Sequence, residues 1–192
     1  MTDRDYEELD RLRGRCESPI EEMMLYVLMK YKRDGVTVEC QKSFLTIQGS
    51  FRADLVLSNS HGQSVIECDG ASFHKNYMKD LRRDQAILAS GPIVDIWRLP
   101  GWAIFHREHS CVFLIASQRP DLFSTRALSN LDAYEGSKRP VAIDEHNETI
   151  FQISQIFDED GEPQTIQISK RPVGHLIKTR EYDCEHDEII EV

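Results

Sequence analysis

The sequence predicts an α/β fold with elements in the order α-β-β-β-α-β. A mixed central sheet of about four strands is flanked by helices and followed by an acidic, β-rich C-terminal extension. Two apolar runs, residues 51–57 and 65–70, are separated by turn-forming residues, which indicates a β-hairpin. A helical segment then leads to another apolar run at 93–99, and such a crossover predicts a strand parallel to 65–69. From residue 120 onward acids become frequent and prolines punctuate the chain, which marks the extension.

The first long helix has a clear start in the sequence. Ser18 suits the N-cap, Pro19 the first helical position and Glu21 the position three after the cap. The helix should run to about residue 33, because Gly35 ends the periodic apolar pattern. Residues 4–16 before it are charged and helical in propensity, which predicts a short helix or arm.

The remaining elements follow from alternation, helical periodicity and turn residues. Acids surround the turn of the last predicted hairpin, and a β-turn explains them better than a calcium loop. The predicted segments are strands at 36–40 and 43–47, a turn at 48–50, helices at about 78–89 and 101–117, a second hairpin at 149–157 and 164–169, and a mobile tail at 181–192.

Length and charge divide the chain unevenly. A chain of 192 residues suits one domain with a modest appendage, here residues 1–120 and 121–192. The net charge is −10, but residues 1–120 carry 16 basic and 17 acidic side chains, whereas residues 121–192 carry 7 and 16. The acidity therefore belongs to the extension, and a nucleic-acid partner for residues 1–120 is compatible with the composition.

Membrane and secretion signals are not expected. No apolar run approaches the length of a membrane span, and the N-terminus has no signal-peptide pattern. The five scattered cysteines favour reduced thiols in a cytoplasmic protein over a disulfide framework.

Carboxylates cluster on the central hairpin. If Leu57 pairs with Ser64, antiparallel register places Asp54 opposite Glu67, and Asp69 shares the face of Glu67. Three carboxylates inside strands repel one another and favour a hard cation such as Mg²⁺. The alternative is that they are solvated acids on an open sheet face.

Other polar residues near the hairpin have open roles. Glu21 forms a capping box, leans toward the acids, or both, and Gln41 is an edge polar residue or one that orients a ligand or water. His74 is a proton shuttle or a surface-loop histidine. Basic residues nearby are candidates for phosphate contacts or solubilising charges, namely Lys75, Lys79, Arg82 and Arg83. Asp80 and Asp84 should pair with basic neighbours on their own helix.

With these motifs placed, the chain resembles the PD-(D/E)XK nuclease superfamily, and within it the Vsr-like (very-short-patch-repair-type) endonucleases and related bacterial domains. The resemblance covers residues 18–102. The residues that carry it are Ser18 to Glu21, Gln41, Arg52 to Asp54, Glu67 to Gly70, His74, Asp80, Arg83, Asp84 and Ile96 to Arg98.

The resemblance implies a restriction-endonuclease-like fold and an endonuclease that uses Mg²⁺, or Mn²⁺, to hydrolyse phosphodiester bonds in DNA. Asp54 and Glu67 would be the metal-binding acids, and Glu21 the acid that some members add from a helix. Asp69 stands where the superfamily usually has lysine, and His74 matches a histidine of the repair-type members. Asp54, Glu67, Asp69 and His74 are thus the expected catalytic residues.

Two other functions fit parts of the sequence. In the first, the fold is a catalytically inactive nucleic-acid-binding or regulatory module, and residues 121–192 bind a protein partner or mediate self-association. In the second, the chain is a zinc protein, but the available His and Cys residues lack a recognisable ligand spacing. They are His106, His109, Cys111, Cys184 and His186.

Overall fold

A computed structural model describes the backbone of residues 1–70, 77–135, 150–157, 163–171, 180–183 and 188–191, and the side chains of residues 1–70 and 79–131. The helices are α1 (Asp3–Arg13), α2 (Pro19–Tyr31), α3 (Tyr77–Leu88), α4 (Gly101–Gln118) and α5 (Thr125–Glu135), with a 3-10 turn at Pro120–Leu122. The strands are β1 (Thr37–Thr46), β2 (Gly49–Asn59), β3 (Gly62–Asp69), β4 (Ile93–Pro100), β5 (Ile150–Phe157), β6 (Pro163–Arg171), β7 (Arg180–Asp183) and β8 (Glu188–Glu191).

The chain is a mixed α/β protein, as predicted. The larger sheet has the strand order β1-β2-β3-β4-β5-β6, in which β1, β2 and β3 pair antiparallel and β4 lies parallel to β3. Leu57 pairs with Ser64, so the predicted register of the central hairpin is confirmed. The parallel pairing of β3 with β4 is confirmed as well, because α3 supplies the crossover between them.

The C-terminal hairpin continues this sheet. β5 and β6 pair antiparallel, as the sequence predicted, and β5 also pairs with β4 in parallel orientation. The strands β7 and β8 form a separate two-stranded sheet. The division of the chain into 1–120 and 121–192 stays a prediction.

Helices cover both faces of the sheet. On one face, residues of α2, α4 and α5 pack against Leu55, Ile66 and Trp97 in the larger apolar core. On the other face, α3 packs against a smaller core that includes Val56 and Val65. The alternation of neighbours such as Leu55 and Val56 follows from the period of two along a strand. None of the helices in the described part of the chain is long and apolar enough to cross a bilayer.

Some boundaries differ from the predicted ones. The helix α2 ends at Tyr31 rather than near residue 33, because Lys32 leaves the helix and forms a β-bridge with Phe123. The predicted strands 36–40 and 43–47 are one strand, β1, which passes through Gln41. The helix α4 is kinked at Arg107, a residue with non-helical dihedral angles, so the predicted single helix is two helical pieces end to end.

A buried arginine joins the end of α4 to the beginning of β3 and β4. Arg119 donates to Ser64 Oγ at 2.7 Å and to Asp95 Oδ2 at 3.2 Å. It also donates two bonds of 2.9 Å to Asp121, which accepts a further one from Asn59. Such a bidentate, charge-assisted arrangement fixes both position and orientation. The bonds from Arg119 hold the pKa of Asp121 below its usual range.

This pKa gives a pH-dependent stability. Because the folded-state pKa of Asp121 is lowered, its contribution is full above the ordinary carboxyl pKa of about 4 and declines as the pH falls toward the folded-state value. Asp121→Asn should lower the free energy of unfolding by about 1–2 kcal/mol at pH 7 and by less at pH 3. Urea unfolding at both pH values measures this. The exposed Asp34 provides the control, Asp34→Asn. A loss that is the same at both pH values would contradict the assignment.

Candidate functional site

Asp54 lies where the pairing of the central hairpin ends. The last paired residues of β2 and β3 are Leu55 and Ile66, and one step further the Asp54 carboxylate accepts a bond of 2.8 Å from the backbone N–H of Cys68. The side chain therefore takes the place of a backbone acceptor on β2. Burial raises the pKa of Asp54, the bond from Cys68 opposes this, and the charge of Glu21 adds to the rise.

Glu21 bonds residues at the start of α2 and also lies beside the acids. It accepts from Ser18 Oγ at 2.8 Å and from the backbone N–H of Glu17 at 3.0 Å. Its side chain is buried, and Gln41 Nε2 donates to it at 2.7 Å. Glu21 therefore leans toward the acids, which is one of its two expected roles. The capping box is present only in part, because Ser18 caps the backbone N–H of Glu21 whereas the Glu21 side chain bonds the backbone N–H of Glu17 rather than that of Ser18.

Gln41 links Glu21 to Asp54. The amide nitrogen that donates to Glu21 lies 3.5 Å from Asp54 Oδ1. The backbone of Gln41 has φ = 55°, and among the described residues no other non-glycine residue has a positive φ. Left-handed backbone inside a strand is strained for an L-residue, typically by roughly 1–3 kcal/mol. Gln41 is thus a residue that orients two carboxylates, rather than a plain edge residue of the sheet.

Glu67 is buried under an arginine. Only 3% of its surface is exposed, and Arg83 Nη2 from α3 donates to its Oε1 at 2.7 Å. Burial raises the pKa of Glu67 to about 8, against the opposing charge of Arg83 and together with the charge of Asp54. Arg83 Nη2 also donates to the backbone carbonyl of Arg52 at 2.7 Å, which ties α3 to β2 next to the acids.

Asp69 is part of a buried ion-pair network. Arg98 Nη1 donates to both oxygens of Asp69 at 2.9 and 3.0 Å. The Nε and Nη2 atoms of Arg98 donate to the two oxygens of Asp84 at 2.8 and 2.9 Å. Asp84 was expected to pair with a basic neighbour on its own helix, and that prediction is wrong, because its partner is on β4. Burial of Arg98 and Asp84 together requires such full pairing.

The predicted site residues come together in part. Asp54, Glu67, Glu21 and Gln41 lie at one end of the sheet and interact, directly or through their charges. Asp69 lies next to them but is bonded to Arg98. The other predicted site residues fall into three groups. Lys79 and Arg82 are exposed on α3, Arg83 is bonded to Glu67, and His74 and Lys75 lie outside the described residues.

The described residues contain no ready-made cage for a metal ion. Among those with described side chains, no group of three or more His, Cys, Asp and Glu residues is placed to hold an ion. This covers His106, His109 and Cys111, whereas Cys184 and His186 lie outside the described residues. Mg²⁺, however, is commonly held by one or two carboxylates, waters and substrate phosphates, rather than by a cage of protein ligands.

Sequence reasoning assigned no role to Arg98 and did not find the partner of Arg83. The signal for Arg98 was its position inside the apolar run 93–99, where a buried charge requires an acidic partner. Parallel register places Arg98 next to Glu67, yet its side chain reaches Asp69 and Asp84. Arg98 reaches Asp84 because of the position in which α3 packs on the sheet, and the local sequence does not specify that position.

The strain at Gln41 can be separated from the function of its side chain. Glycine tolerates a positive φ at this position whereas alanine does not, so Gln41→Gly should be more stable than Gln41→Ala by about 1 kcal/mol. Both variants lose the amide that bonds Glu21. Chemical unfolding of the two variants checks the difference. Equal stability, or a more stable Gln41→Ala, would contradict the strained backbone.

The network around Arg98 should be necessary for stability. Arg98→Met leaves the buried Asp84 without its partner and should cost about 3–5 kcal/mol in the free energy of unfolding. Adding Asp84→Leu should recover part of that loss, since no buried charge then remains at this position. Chemical unfolding measures both, with Arg126→Met, an exposed arginine, as control. A loss for Arg98→Met no larger than that of the control would contradict the pairing.

Models of known protein families give no match, and neither do curated proteins. One solved structure matches, described as "Crystal Structure of Protein of Unknown Function AF1548", with 12% sequence identity and a TM-score of 0.31. The match covers 42% of this chain and 46% of that one, so this chain spans less than half of its length. A similarity at this level supports no inference about fold family or function.

Proposed function

We propose that this chain is a Mg²⁺-dependent endonuclease with a restriction-endonuclease-like fold that hydrolyses phosphodiester bonds in DNA. The observation that carries the proposal is the position of Asp54 at the end of the β2–β3 pairing, beside the buried Glu67. Burial raises the pKa of both carboxylates, and the charge of Asp54 adds to the rise at Glu67. Two acids held together in this way favour a cation.

The fold supports the proposal through the order of its elements. α2 precedes three antiparallel strands, and α3 then crosses to the parallel strand β4. This is the arrangement that the resemblance to the PD-(D/E)XK superfamily implies for residues 18–102. The residues that carry the resemblance, among them Glu21, Gln41, Asp54 and Glu67, interact in space although they come from separate segments of the chain.

The donor atoms suit Mg²⁺. Asp54 and Glu67 offer oxygen ligands, which hard divalent ions prefer, and two carboxylates are enough when phosphate and water complete the coordination. A cation between them would also offset the burial and the repulsion that raise the two pKa values. When bound, Mg²⁺ would supply an activated water and neutralise charge on the phosphate.

Each residue then has a definite task. Asp54 and Glu67 would hold the ion, and the bond from Cys68 fixes the position of Asp54. The Gln41 amide orients Glu21 and Asp54 toward each other. Lys79 and Arg82, exposed on α3, can contact phosphates along the DNA. His74 is proposed as the proton carrier on the basis of the sequence alone.

A second candidate function is an inactive nucleic-acid-binding or regulatory module. One observation favours it: Glu67 and Asp69 already have arginine partners within the protein, Arg83 for Glu67 and Arg98, shared with Asp84, for Asp69. In this function residues 121–192, which carry most of the net negative charge, bind a protein partner or a second copy.

A nicking assay separates the two functions. The purified chain should convert supercoiled DNA to nicked or linear forms with Mg²⁺ or Mn²⁺, and not with a chelator present. Asp54→Asn and Glu67→Gln should each lower the rate by roughly 100-fold or more, because each removes an ion ligand worth several kcal/mol in the transition state.

The control for this assay is Asp34→Asn, which changes an exposed carboxylate away from the acids. It should cut like the wild type. DNA binding without cleavage in the wild-type chain would instead support the inactive module. Cleavage that both site variants retain at the wild-type rate would rule out the site.

A further inference from the structure

Arg83 stands between the buried Glu67 and the solvent. Its side chain is 23% exposed, whereas that of Glu67 is 3% exposed. Both bonds described for its guanidinium, to Glu67 Oε1 and to the carbonyl of Arg52, come from Nη2. Arg83 therefore occupies one oxygen of a carboxylate that a metal ion would need, and places a positive charge next to it.

We infer that Arg83 exchanges Glu67 for a phosphate oxygen of the substrate when a divalent ion binds, so that the ion and the DNA bind cooperatively. The inference rests on the proposed function, since it assigns a partner to a residue of the same site. Arg83 thereby holds the acid while the ion is absent and becomes a phosphate ligand once the ion is present.

Arg83 can exchange the Glu67 carboxylate for a phosphate because both anions suit its guanidinium. A guanidinium binds carboxylate and phosphate with the same fork geometry, so either anion satisfies its donors. A divalent ion held by Glu67 would repel the guanidinium and so would weaken the bond between Arg83 and Glu67. The bond to the Arg52 carbonyl does not involve Glu67, and it keeps the guanidinium anchored during the exchange.

A purely structural ion pair would behave differently. If Arg83 only neutralised Glu67, its removal would leave a buried acid and weaken the site as a whole. If Arg83 competes with the ion, its removal strengthens ion binding. Removal of Arg83 should strengthen ion binding whether Glu67 is protonated or ionised in the free protein. The guanidinium repels a divalent ion at Glu67 about twice as strongly as it repels a proton there.

The first test is calorimetric titration with Ca²⁺ and no DNA, which avoids turnover. Arg83→Gln should bind Ca²⁺ roughly tenfold more tightly than the wild type. The matched control is Arg82→Gln, an exposed arginine on the same helix, whose affinity should change little. Equal or weaker binding of Ca²⁺ by a folded Arg83→Gln variant would overturn the competition.

The second test counts phosphate contacts through the salt dependence of binding to a short DNA duplex. With Ca²⁺ present, the slope of log K against log salt should be shallower by about 0.9 in Arg83→Gln than in the wild type. Without Ca²⁺ the two slopes should agree, because Arg83 is then held by Glu67. A difference of the same size in both conditions would overturn the exchange.

If Arg83→Gln does not fold, a variant of its partner Glu67 tests the same exchange. Glu67→Gln removes the charge that holds Arg83, so without any ion the slope should become steeper by about 0.9 than in the wild type. An unchanged slope would overturn the exchange.

If the wild type binds no Ca²⁺, the proposed function itself fails. If binding depends on Asp54 but is unchanged in Arg83→Gln, only the exchange fails.

Discussion

The buried guanidinium of Arg98 is the constraint on which the candidate site depends. It bonds Asp84 of α3 and Asp69 of β3, so one side chain of β4 fixes the helix and the neighbouring strand relative to each other. Arg83 precedes Asp84 in the chain, and Glu67 lies two residues before Asp69 on the same face of β3. The contact between Arg83 and Glu67 thus follows from the placement of Asp84 and Asp69. Charges buried this deeply tolerate little displacement, because an unpaired buried ion costs several kcal/mol.

A second constraint acts on the other side of Asp54. Left-handed backbone at Gln41 interrupts the regular alternation of β1, and beyond it Phe44 faces the α3 side of the sheet, whereas Cys40 faces the α2 side. Strained residues persist only where the surrounding structure holds them, and they are common at functional sites. Here the deviation aims the amide at Glu21 and Asp54 together. The strained backbone of Gln41 destabilises the fold locally, and it positions the amide that orients Glu21 and Asp54.

The parts of the structure that the sequence predicts well are those that local physics determines. The cap formed by Ser18, the turn that sets Leu57 against Ser64 and the crossover to β4 follow from residue types and spacing. The partners of charged residues do not. Asp84 has basic neighbours along α3, but its actual partner, Arg98, is chosen by the packing of α3 on the sheet. The pairing of Arg83 with Glu67 also depends on this packing. The left-handed backbone of Gln41 could not be predicted from the residue type.

These pairings also give a physical reason for the acid at position 69. A lysine there would place a second cation against Arg98, which already lies in a buried environment and needs anions on both sides. With an arginine at position 98, an aspartate at position 69 supplies the acceptor for the guanidinium nitrogen that Asp84 leaves open. The positive charge that a lysine would bring to the acids comes instead from α3, through Arg83 and its bond to Glu67. If the chain has the function proposed above, an aspartate where the superfamily usually has lysine moves the positive charge from position 69 to Arg83 and leaves it within the site.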